Sequence, residues 1–296
     1  MSKRGHRQAI FWEKTENGNI LCKLCPHNCS IIESSTGKCG VRENINGELI
    51  ARSYGAVAAI ALDPIEKKPL RMFEAGKNIL SIGSLGCNLN CQFCQNYEIS
   101  MAKSKEKLQS SPKLMPDDIA KLAKQYISEK NIGVAYTYNE PLIGYEFVYD
   151  CAKKIHEEGL KNILVTNGYI STQPLKELLP LIDAMNIDLK AFSEGFYKRV
   201  GGNLEAVKET IITAHVKCHV EITALIIPGE NEDDIEDMAR WLASIDPELP
   251  LHLSRFFPRY NYASETPTPK ETILKLRDIA KKHLTNVFCG NVSIGI

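Results

Sequence analysis

The chain lacks any long apolar run, and neither sign of charge is in excess. No stretch of its 296 residues approaches the length of a membrane-spanning helix, and the N-terminal segment MSKRGHRQAIFWEK lacks the continuous apolar core of a signal peptide. The 36 basic residues balance the 36 acidic residues, which leaves no electrostatic footprint for nucleic acid or anionic lipid. We therefore expect a cytoplasmic protein that binds neither nucleic acid nor membrane.

Cysteine, in contrast, is frequent, with ten in the chain. Several of these cysteines are closely spaced, and a reducing cytoplasm keeps thiols free, so we expect metal ligation rather than disulfide bonds. The length is sufficient for one large α/β domain with a smaller appendage.

Three cysteines form the most informative motif. Cys87, Cys91 and Cys94 occur as C-x3-C-x2-C in GSLGCNLNCQFCQN, directly after the apolar run 79–82. A structural zinc site or an ordinary ferredoxin cluster takes four protein ligands, whereas three cysteines leave one metal position open to a substrate. The alternatives are a zinc knuckle or a set of buried structural thiols.

Strand-like and helix-like segments alternate from residue 76 onward, which is typical of parallel βαβ units. We predict strands near 78–84, 132–138, 162–166, 184–189, 218–227 and 250–256. Helices are predicted at 116–130, 142–158, 173–180, 203–215, 231–244 and 270–283. The pattern predicts an α/β fold over 76–296, either a partial (β/α)6 barrel or a doubly wound sheet, with the short tail 287–296 closing it.

Polar residues follow most of these strands, as they do where a barrel carries an active site, and they favour the barrel. The candidates are Cys87, Asn139, Glu140, Thr166, Asn167, Asp188, Lys190, His252 and Arg255, with Glu221 and Thr223 as weaker ones. Asp188 and Lys190 alternate along one strand and therefore share a face. Two alternatives stay open: Asn139 and Glu140 are also typical of a helix cap, and His252 is also typical of a core histidine.

Residues 1–75 differ in character and are predicted to form an N-terminal module with short strands. Its cysteines, Cys22, Cys25, Cys29 and Cys39, are spaced C-x2-C-x3-C-x9-C, with His27 as a substitute ligand. Four thiolates would saturate either a structural zinc ion or an auxiliary iron–sulfur cluster. Segment 102–113 is charged and rich in serine, and we predict a loop there that is either solvated surface or folded over the substrate.

Eight segments together resemble the AmmeMemoRadiSam-system enzymes of the radical S-adenosylmethionine (SAM) superfamily, which are similar to pyruvate formate-lyase activating enzymes. The segments are CPHNC, GKCGVRE, DPIEKKPL, GCNLNCQFCQN, YTYNEP, NIDLKAF, IIPGEN and HLSRFFP. The resemblance implies that Cys87, Cys91 and Cys94 hold a [4Fe–4S] cluster, that Phe93 fills the aromatic slot before the last cysteine, and that SAM binds the cluster. The strand-end residues from Asn139 to Arg255 then become SAM contacts, and no catalytic residue is assigned beyond the cluster.

The reaction implied by the resemblance is reductive cleavage of SAM into methionine and a 5′-deoxyadenosyl radical that abstracts hydrogen. The implied partners are a low-potential electron donor, flavodoxin or ferredoxin, and a substrate that is a protein glycine, as in the activating enzymes, or a small molecule. Radical methylation or another SAM-consuming modification is one alternative. A non-enzymatic zinc-binding interaction module is the other.

Overall fold

The N-terminal part of the chain forms two small antiparallel sheets. The computed structural model describes residues 7–292. Its first six strands are β1 (Arg7–Gln8), β2 (Trp12–Lys14), β3 (Ile20–Cys22), β4 (Ser30–Ile31), β5 (Arg42–Ile45) and β6 (Glu48–Ala51). They pair in the orders β1-β6-β5 and β2-β3-β4. The short strands agree with the predicted character of the module.

One central sheet of eight strands dominates the rest of the fold. Its members are β7 (Ala59–Pro64), β8 (Asn78–Gly83), β9 (Asn131–Tyr136), β10 (Lys161–Thr166), β11 (Ala184–Asp188), β12 (His219–Ile226), β13 (Leu251–Arg255) and β14 (Val287–Gly290). They lie in sequence order, with β7 and β14 at the edges. Every pair from β8 to β14 is parallel, and β7 runs antiparallel to β8.

Helices connect the parallel strands. They are α1 (Tyr97–Ser100), α2 (Lys105–Ser110), α3 (Pro116–Gln125), α4 (Tyr145–Glu157), α5 (Thr172–Leu178), α6 (Glu194–Arg199), α7 (Leu204–His215), α8 (Ile235–Ile245) and α9 (Lys270–Ala280). Local signals fix several starts; the Asn203 side chain, for example, accepts a hydrogen bond from the Ala206 amide at the beginning of α7. The predicted class, an α/β partial barrel, is confirmed.

Two predictions at element level are wrong. Strand β7 falls in the segment assigned to the N-terminal module but belongs to the central sheet, where Ala59 pairs with Gly83 and Pro64 with Asn78. Segment 102–113 was expected to be a loop, yet it contains α2, whose first turn is capped by the Ser104 hydroxyl accepting from the Lys107 amide. A domain boundary at residue 75 stays a prediction.

The N-terminal module and the barrel share one apolar core. Ile20, Leu24 and Leu49 of the module are buried in the same cluster as Leu164 and Ile222 of the central sheet. A buried ion pair also joins them. The Arg42 guanidinium on β5 donates to both oxygens of Glu146 on α4, at 3.1 and 3.0 Å. The module is therefore packed into the barrel rather than tethered to it.

Segment 65–73 covers the amino ends of the parallel strands. Leu70 is buried against Ile79, Ile163 and Ala184, which lie near the starts of their strands. The backbone amides of Arg71 and Met72 donate to the Glu221 carboxylate at 2.9 and 2.8 Å. With this end covered, the opening of the barrel lies at the carboxyl ends of the strands, where barrel active sites occur.

Helix length and polarity bear on the predicted absence of a membrane span. Among the helices in residues 7–292, none is both long enough and apolar enough to span a bilayer.

Candidate functional site

A cavity of about 290 Å³ opens at the carboxyl ends of the parallel strands. Its walls include most of the side chains that the sequence predicted: Cys87, Cys91, Phe93, Cys94, Asn139, Glu140, Thr166, Asn167, Asp188, Lys190 and Thr223. The loop after β8 supplies the thiols, and the ends of β9, β10, β11 and β12 supply the polar groups. Residues that are distant in the sequence meet here because parallel strands end at the same rim.

The thiol-bearing loop is held in place from two sides. Asn139 accepts a hydrogen bond from the Ser84 amide at 2.9 Å and donates through Nδ2 to the Gly86 carbonyl at 3.1 Å. Gly86 has a φ of +87°, and a Cβ there would lie 2.7 Å from the Cys39 carbonyl oxygen. Only glycine suits this position, because the backbone is left-handed and the N-terminal module presses directly on it.

The three thiols fit an iron–sulfur cluster better than a single metal ion. Within residues 7–292, no three His, Cys, Asp or Glu side chains are grouped closely enough to hold one ion. In a [4Fe–4S] cluster each cysteine binds a different iron, so its thiols stand further apart than the ligands of one zinc ion. Three cysteines facing one cavity are therefore a suitable donor set for such a cluster.

Burial makes these thiols poor acids in the absence of a cation. Desolvation raises the pKa of Cys91 to about 11, although the nearby Lys190 ammonium opposes the shift. Desolvation and the neighbouring Glu140 charge raise the pKa of Cys87 as well. Because a metal-bound cysteine is a thiolate, bound iron would supply the positive charge that these buried sulfurs need.

Glu140 is a buried carboxylate at the floor of the cavity. One oxygen accepts from the Thr166 hydroxyl at 2.7 Å and the Leu142 amide at 3.0 Å, and the other accepts from the Asn167 amide at 2.7 Å. Burial raises the pKa of Glu140 to about 7, although these three donors favour the ionised form. Accepting the Leu142 amide makes Glu140 a helix cap, so that predicted alternative is present, while its contact with SAM stays a prediction.

Asp188 and Lys190 form an ion pair inside the cavity. The Lys190 ammonium donates to Asp188 at 2.9 Å, as expected for two side chains on one face of a strand. Burial alone would lower the pKa of Lys190, but the Asp188 carboxylate and the Cys91 sulfur raise it above its ordinary value. Lys190 therefore stays protonated beside the thiol-bearing loop, with Asp188 as its counter-ion.

Asn167 connects the strand end to the thiols. Its Nδ2 donates to the Asn88 side chain at 2.9 Å and lies 3.6 Å from the Cys87 sulfur. The Phe93 ring lies 5.8 Å from Phe196 and 6.0 Å from Tyr262, between its ring centroid and theirs. Asn167 therefore contacts the thiol loop, and Phe93, which belongs to that loop, packs against the aromatic side chains beside it.

His252 and Arg255 do not lie where the prediction placed them. His252 bonds Glu221 through Nε2 at 2.6 Å, close to the covered amino ends of the strands. Arg255 donates to the Thr268 carbonyl and stacks over Phe257. Neither residue lines the cavity. His252 is on the same strand face as Ser254, which does line the cavity. Strand alternation therefore predicted the correct face for His252, but His252 lies too far from the carboxyl end of the strand to reach the cavity.

Glu221 belongs to the same deep layer. It accepts hydrogen bonds from His219 and His252 and from the two amides of segment 65–73. Burial alone would raise its pKa, but these four donors lower the pKa to about 2. Glu221 is therefore a structural anchor, whereas Thr223, two residues further along the strand, reaches the cavity.

The sequence did not identify several other residues that line the cavity: Asn96, Ser100, Met101, Tyr138, Leu225, Ser254 and Asn291. Tyr138 carried a usable signal, because it lies between Thr137 and Asn139 at a polar strand end. Its φ is +69°, and its hydroxyl donates to Asp63 at 2.8 Å. Asn96, Met101 and Asn291 lie in loops, whose course no periodic pattern predicts. Ser100 ends α1, and Leu225 and Ser254 lie on β12 and β13.

The N-terminal cysteines lie outside the cavity but next to it. Cys22 and Cys39 are buried, and Cys25 and Cys29 are half-buried. The His27 ring nitrogen Nε2 bonds the Asn88 carbonyl at 2.7 Å, which brings this cysteine-bearing turn against the thiol loop. A metal at these four cysteines stays a prediction.

A family model described as the Radical SAM superfamily matches residues 81–242. An uncharacterized protein of Methanocaldococcus jannaschii is 41% identical over 293 residues, covering 97% of this chain and 85% of that protein. The pyruvate formate-lyase 1-activating enzyme of Escherichia coli is 24% identical over 153 residues, covering 50% of this chain and 61% of that enzyme.

A solved structure agrees with the fold. The crystal structure of Streptococcus suis SuiB bound to S-adenosylmethionine superposes with a TM-score of 0.53 at 12% identity. The match covers 70% of this chain and 48% of that chain. At this identity the likeness concerns the fold alone.

Proposed function

Because this chain belongs to the radical SAM superfamily, we propose that it cleaves SAM reductively and uses the resulting radical to abstract hydrogen from a substrate. The family model matches residues 81–242, which is more than half of the 296 residues. The family implies an enzyme that uses a [4Fe–4S] cluster and SAM. The proposal adds the cleavage of SAM, its products and the substrate.

One observation carries the proposal: three thiols, the buried Glu140 carboxylate and the half-buried Lys190 ammonium line one cavity. When bound, the [4Fe–4S] cluster supplies the single electron that splits SAM into methionine and a 5′-deoxyadenosyl radical, which takes a hydrogen atom from the substrate. Cys87, Cys91 and Cys94 would hold the cluster and leave one iron free for SAM.

The polar side chains can orient the methionine part of SAM. The Glu140 carboxylate can accept a hydrogen bond from its ammonium group, and the Lys190 ammonium can pair with its carboxylate. Thr166 and Asn167 keep Glu140 in position through their hydrogen bonds. His252 and Arg255 do not line the cavity, so the proposal gives them no contact with SAM.

We propose that the substrate is a protein whose glycine loses a hydrogen atom, with a small molecule as the second candidate. The likeness to the activating enzyme from E. coli supports a protein substrate. A flavodoxin or ferredoxin in the cytoplasm would supply the electron, since the cluster needs a donor of low potential.

The decisive experiment is anaerobic reconstitution with iron and sulfide, followed by reduction with dithionite in the presence of SAM. We expect 5′-deoxyadenosine and methionine in equal amounts, and loss of both products in Cys91→Ala. Cys218→Ala is the matched control, because Cys218 lies outside the cavity and its thiol contacts only the Ala214 carbonyl among the hydrogen-bond partners in the described residues. A reconstituted chain that binds zinc and yields no 5′-deoxyadenosine would contradict the proposal.

A further inference from the structure

Four cysteines of the N-terminal module have no part in the proposed reaction. Cys22 ends β3, Cys25 and Cys29 flank the turn that follows, and Cys39 precedes β5. All four are free thiols. The chain therefore places a second group of soft metal donors outside the cavity.

The turn brings these four cysteines near one another. Cys22, Cys25 and Cys39 lie close enough that their ionised forms would repel one another. Cys25 and Cys29 both lie near the Tyr169 side chain. A backbone hydrogen bond of 2.9 Å from the Cys22 amide to the Cys29 carbonyl closes the turn. Cys22, Cys25, Cys29 and Cys39 are therefore neighbours in the fold, although 17 residues separate the first from the last in the sequence.

The group is also in direct contact with the loop that carries Cys87. The Asn88 side chain lies near the Cys25 thiol, donates through Nδ2 to the Tyr169 carbonyl at 2.7 Å, and accepts from Asn167 at 2.9 Å. On the other side, the Cys39 carbonyl lies against Gly86. A centre at these thiols would therefore be separated from Cys87 by little more than the Asn88 side chain.

The spacing distinguishes two kinds of metal centre. A structural zinc ion needs four ligands around one point, and no group of three metal-binding side chains in residues 7–292 is that compact. Cys87, Cys91 and Cys94, which resemble the superfamily's cluster ligands, are likewise not compact enough to surround one ion. In an iron–sulfur cluster the thiolates bind different iron atoms, which the wider grouping can accommodate.

We propose that the four N-terminal cysteines hold a second iron–sulfur cluster, beside the SAM cluster and separated from it by Asn88. Four thiolates saturate such a cluster, so it would bind neither SAM nor substrate. The neighbouring cluster at Cys87, Cys91 and Cys94 would still have one iron without a protein ligand. This assignment does not depend on SAM cleavage, so it can fail while the proposed function stands, and the reverse also holds.

The test uses the full chain with Cys87→Ala, Cys91→Ala and Cys94→Ala combined, reconstituted anaerobically with iron and sulfide. We expect this variant to retain roughly two to four iron atoms per chain with equal sulfide, as four cysteines hold a [2Fe–2S] or [4Fe–4S] cluster. Adding Cys29→Ser should remove the iron, whereas adding Cys218→Ser should not. Cys29 is half-buried, so its replacement should spare the fold better than that of buried Cys22.

Electron paramagnetic resonance of the reduced wild-type protein provides a second readout. Two adjacent paramagnetic clusters should give a broadened spectrum that sharpens in Cys29→Ser, and circular dichroism should show that this variant is folded. Zinc instead of iron in the triple variant, no metal at all, or iron that survives loss of the N-terminal cysteines as adventitious binding would each overturn the assignment.

Discussion

Glu140 is the side chain on which the cavity's charge balance depends. It is buried next to Cys87, and it satisfies its oxygens with one hydroxyl and two backbone amides. An ionised carboxylate here is costly until a cation arrives, because water cannot solvate it. Under the proposed function, the ammonium of SAM would be such a cation.

Glu140 should make the stability of the apoprotein depend on pH. Its pKa is raised from 4.5 to about 7 by burial, so between these values the unfolded chain has lost a proton that the folded chain keeps. The free energy of unfolding should therefore fall as pH rises from about 4.5 to 7, by about 3 kcal/mol at most. Above pH 7 this contribution should no longer change.

Urea unfolding of the apoprotein at several pH values measures this effect. In Glu140→Gln the fall between pH 4.5 and 7 should be smaller than in the wild type, because the titrating group is gone. Glu129→Gln replaces an exposed glutamate and should behave as the wild type does. If Glu140→Gln and the wild type show the same pH dependence, Glu140 is not the group responsible.

For single residues, the sequence predicted well which polar side chains lie at the rim of the barrel, and predicted poorly how far along a strand each side chain lies. Glu140, Asp188 and Lys190 could be identified because polar residues that directly follow a buried strand emerge at the rim of a barrel. His252 was misplaced because strand alternation defines a face, while depth depends on how far each strand extends. That extent is set by tertiary contacts such as the one between Glu221 and segment 65–73.

Among the elements, the loop after β8 is the one whose shape the site requires. Its course depends on Gly86, which has a left-handed backbone and a close contact with the Cys39 carbonyl. The loop therefore depends on the N-terminal module for its position, and a change at this contact should affect the thiols without touching them.

Gly86→Ala should be more damaging than the same change at another left-handed glycine. At Gly76, with a φ of +79°, a Cβ would meet no atom within 4 Å, so Gly76→Ala carries only the backbone cost of about 1–2 kcal/mol. At Gly86 the added Cβ would also lie 2.7 Å from a carbonyl oxygen, for a further cost of roughly 1–3 kcal/mol. Urea unfolding of both variants measures the difference.

Iron content after reconstitution provides a second comparison of these variants. Gly86→Ala should bind less iron per chain than Gly76→Ala, since a shifted loop no longer directs its thiols into the cavity. Equal stability and equal iron content in the two variants would show that the contact with Cys39 does not position the loop.

The elements themselves were mostly predictable. Six parallel strands were recognised within about two residues of their ends, because buried parallel strands are continuous apolar runs. Strand β7 was missed as part of the sheet because nothing in its own sequence specifies a partner: it pairs with β8 across a connection that the sequence pattern assigned to a separate module. Helix α2 was missed because a short, charged, exposed helix has little apolar periodicity.

For the whole molecule, the central question is whether the N-terminal module and the barrel fold as one unit. Their shared core and the buried pair of Arg42 and Glu146 predict that they do. The Arg42 guanidinium also donates to the Ile10 carbonyl at 2.6 Å, so loss of Arg42 would leave both a buried carboxylate and a backbone oxygen without this partner. Such a loss typically costs 3–5 kcal/mol.

The two tryptophans report separately on the two parts, since Trp12 lies in β2 and Trp241 in α8. In Trp241→Phe and Trp12→Phe, fluorescence should give the same urea midpoint. Adding Arg42→Met should lower both midpoints together, because it reduces the free energy of unfolding by about 3–5 kcal/mol. Arg7→Met removes an exposed ion pair between β1 and Asp150 of α4 and should cost under about 1 kcal/mol. If Arg42→Met shifted only the Trp12 midpoint, the module would unfold by itself, and the thiol loop would lose its support from Cys39 while the barrel remained folded.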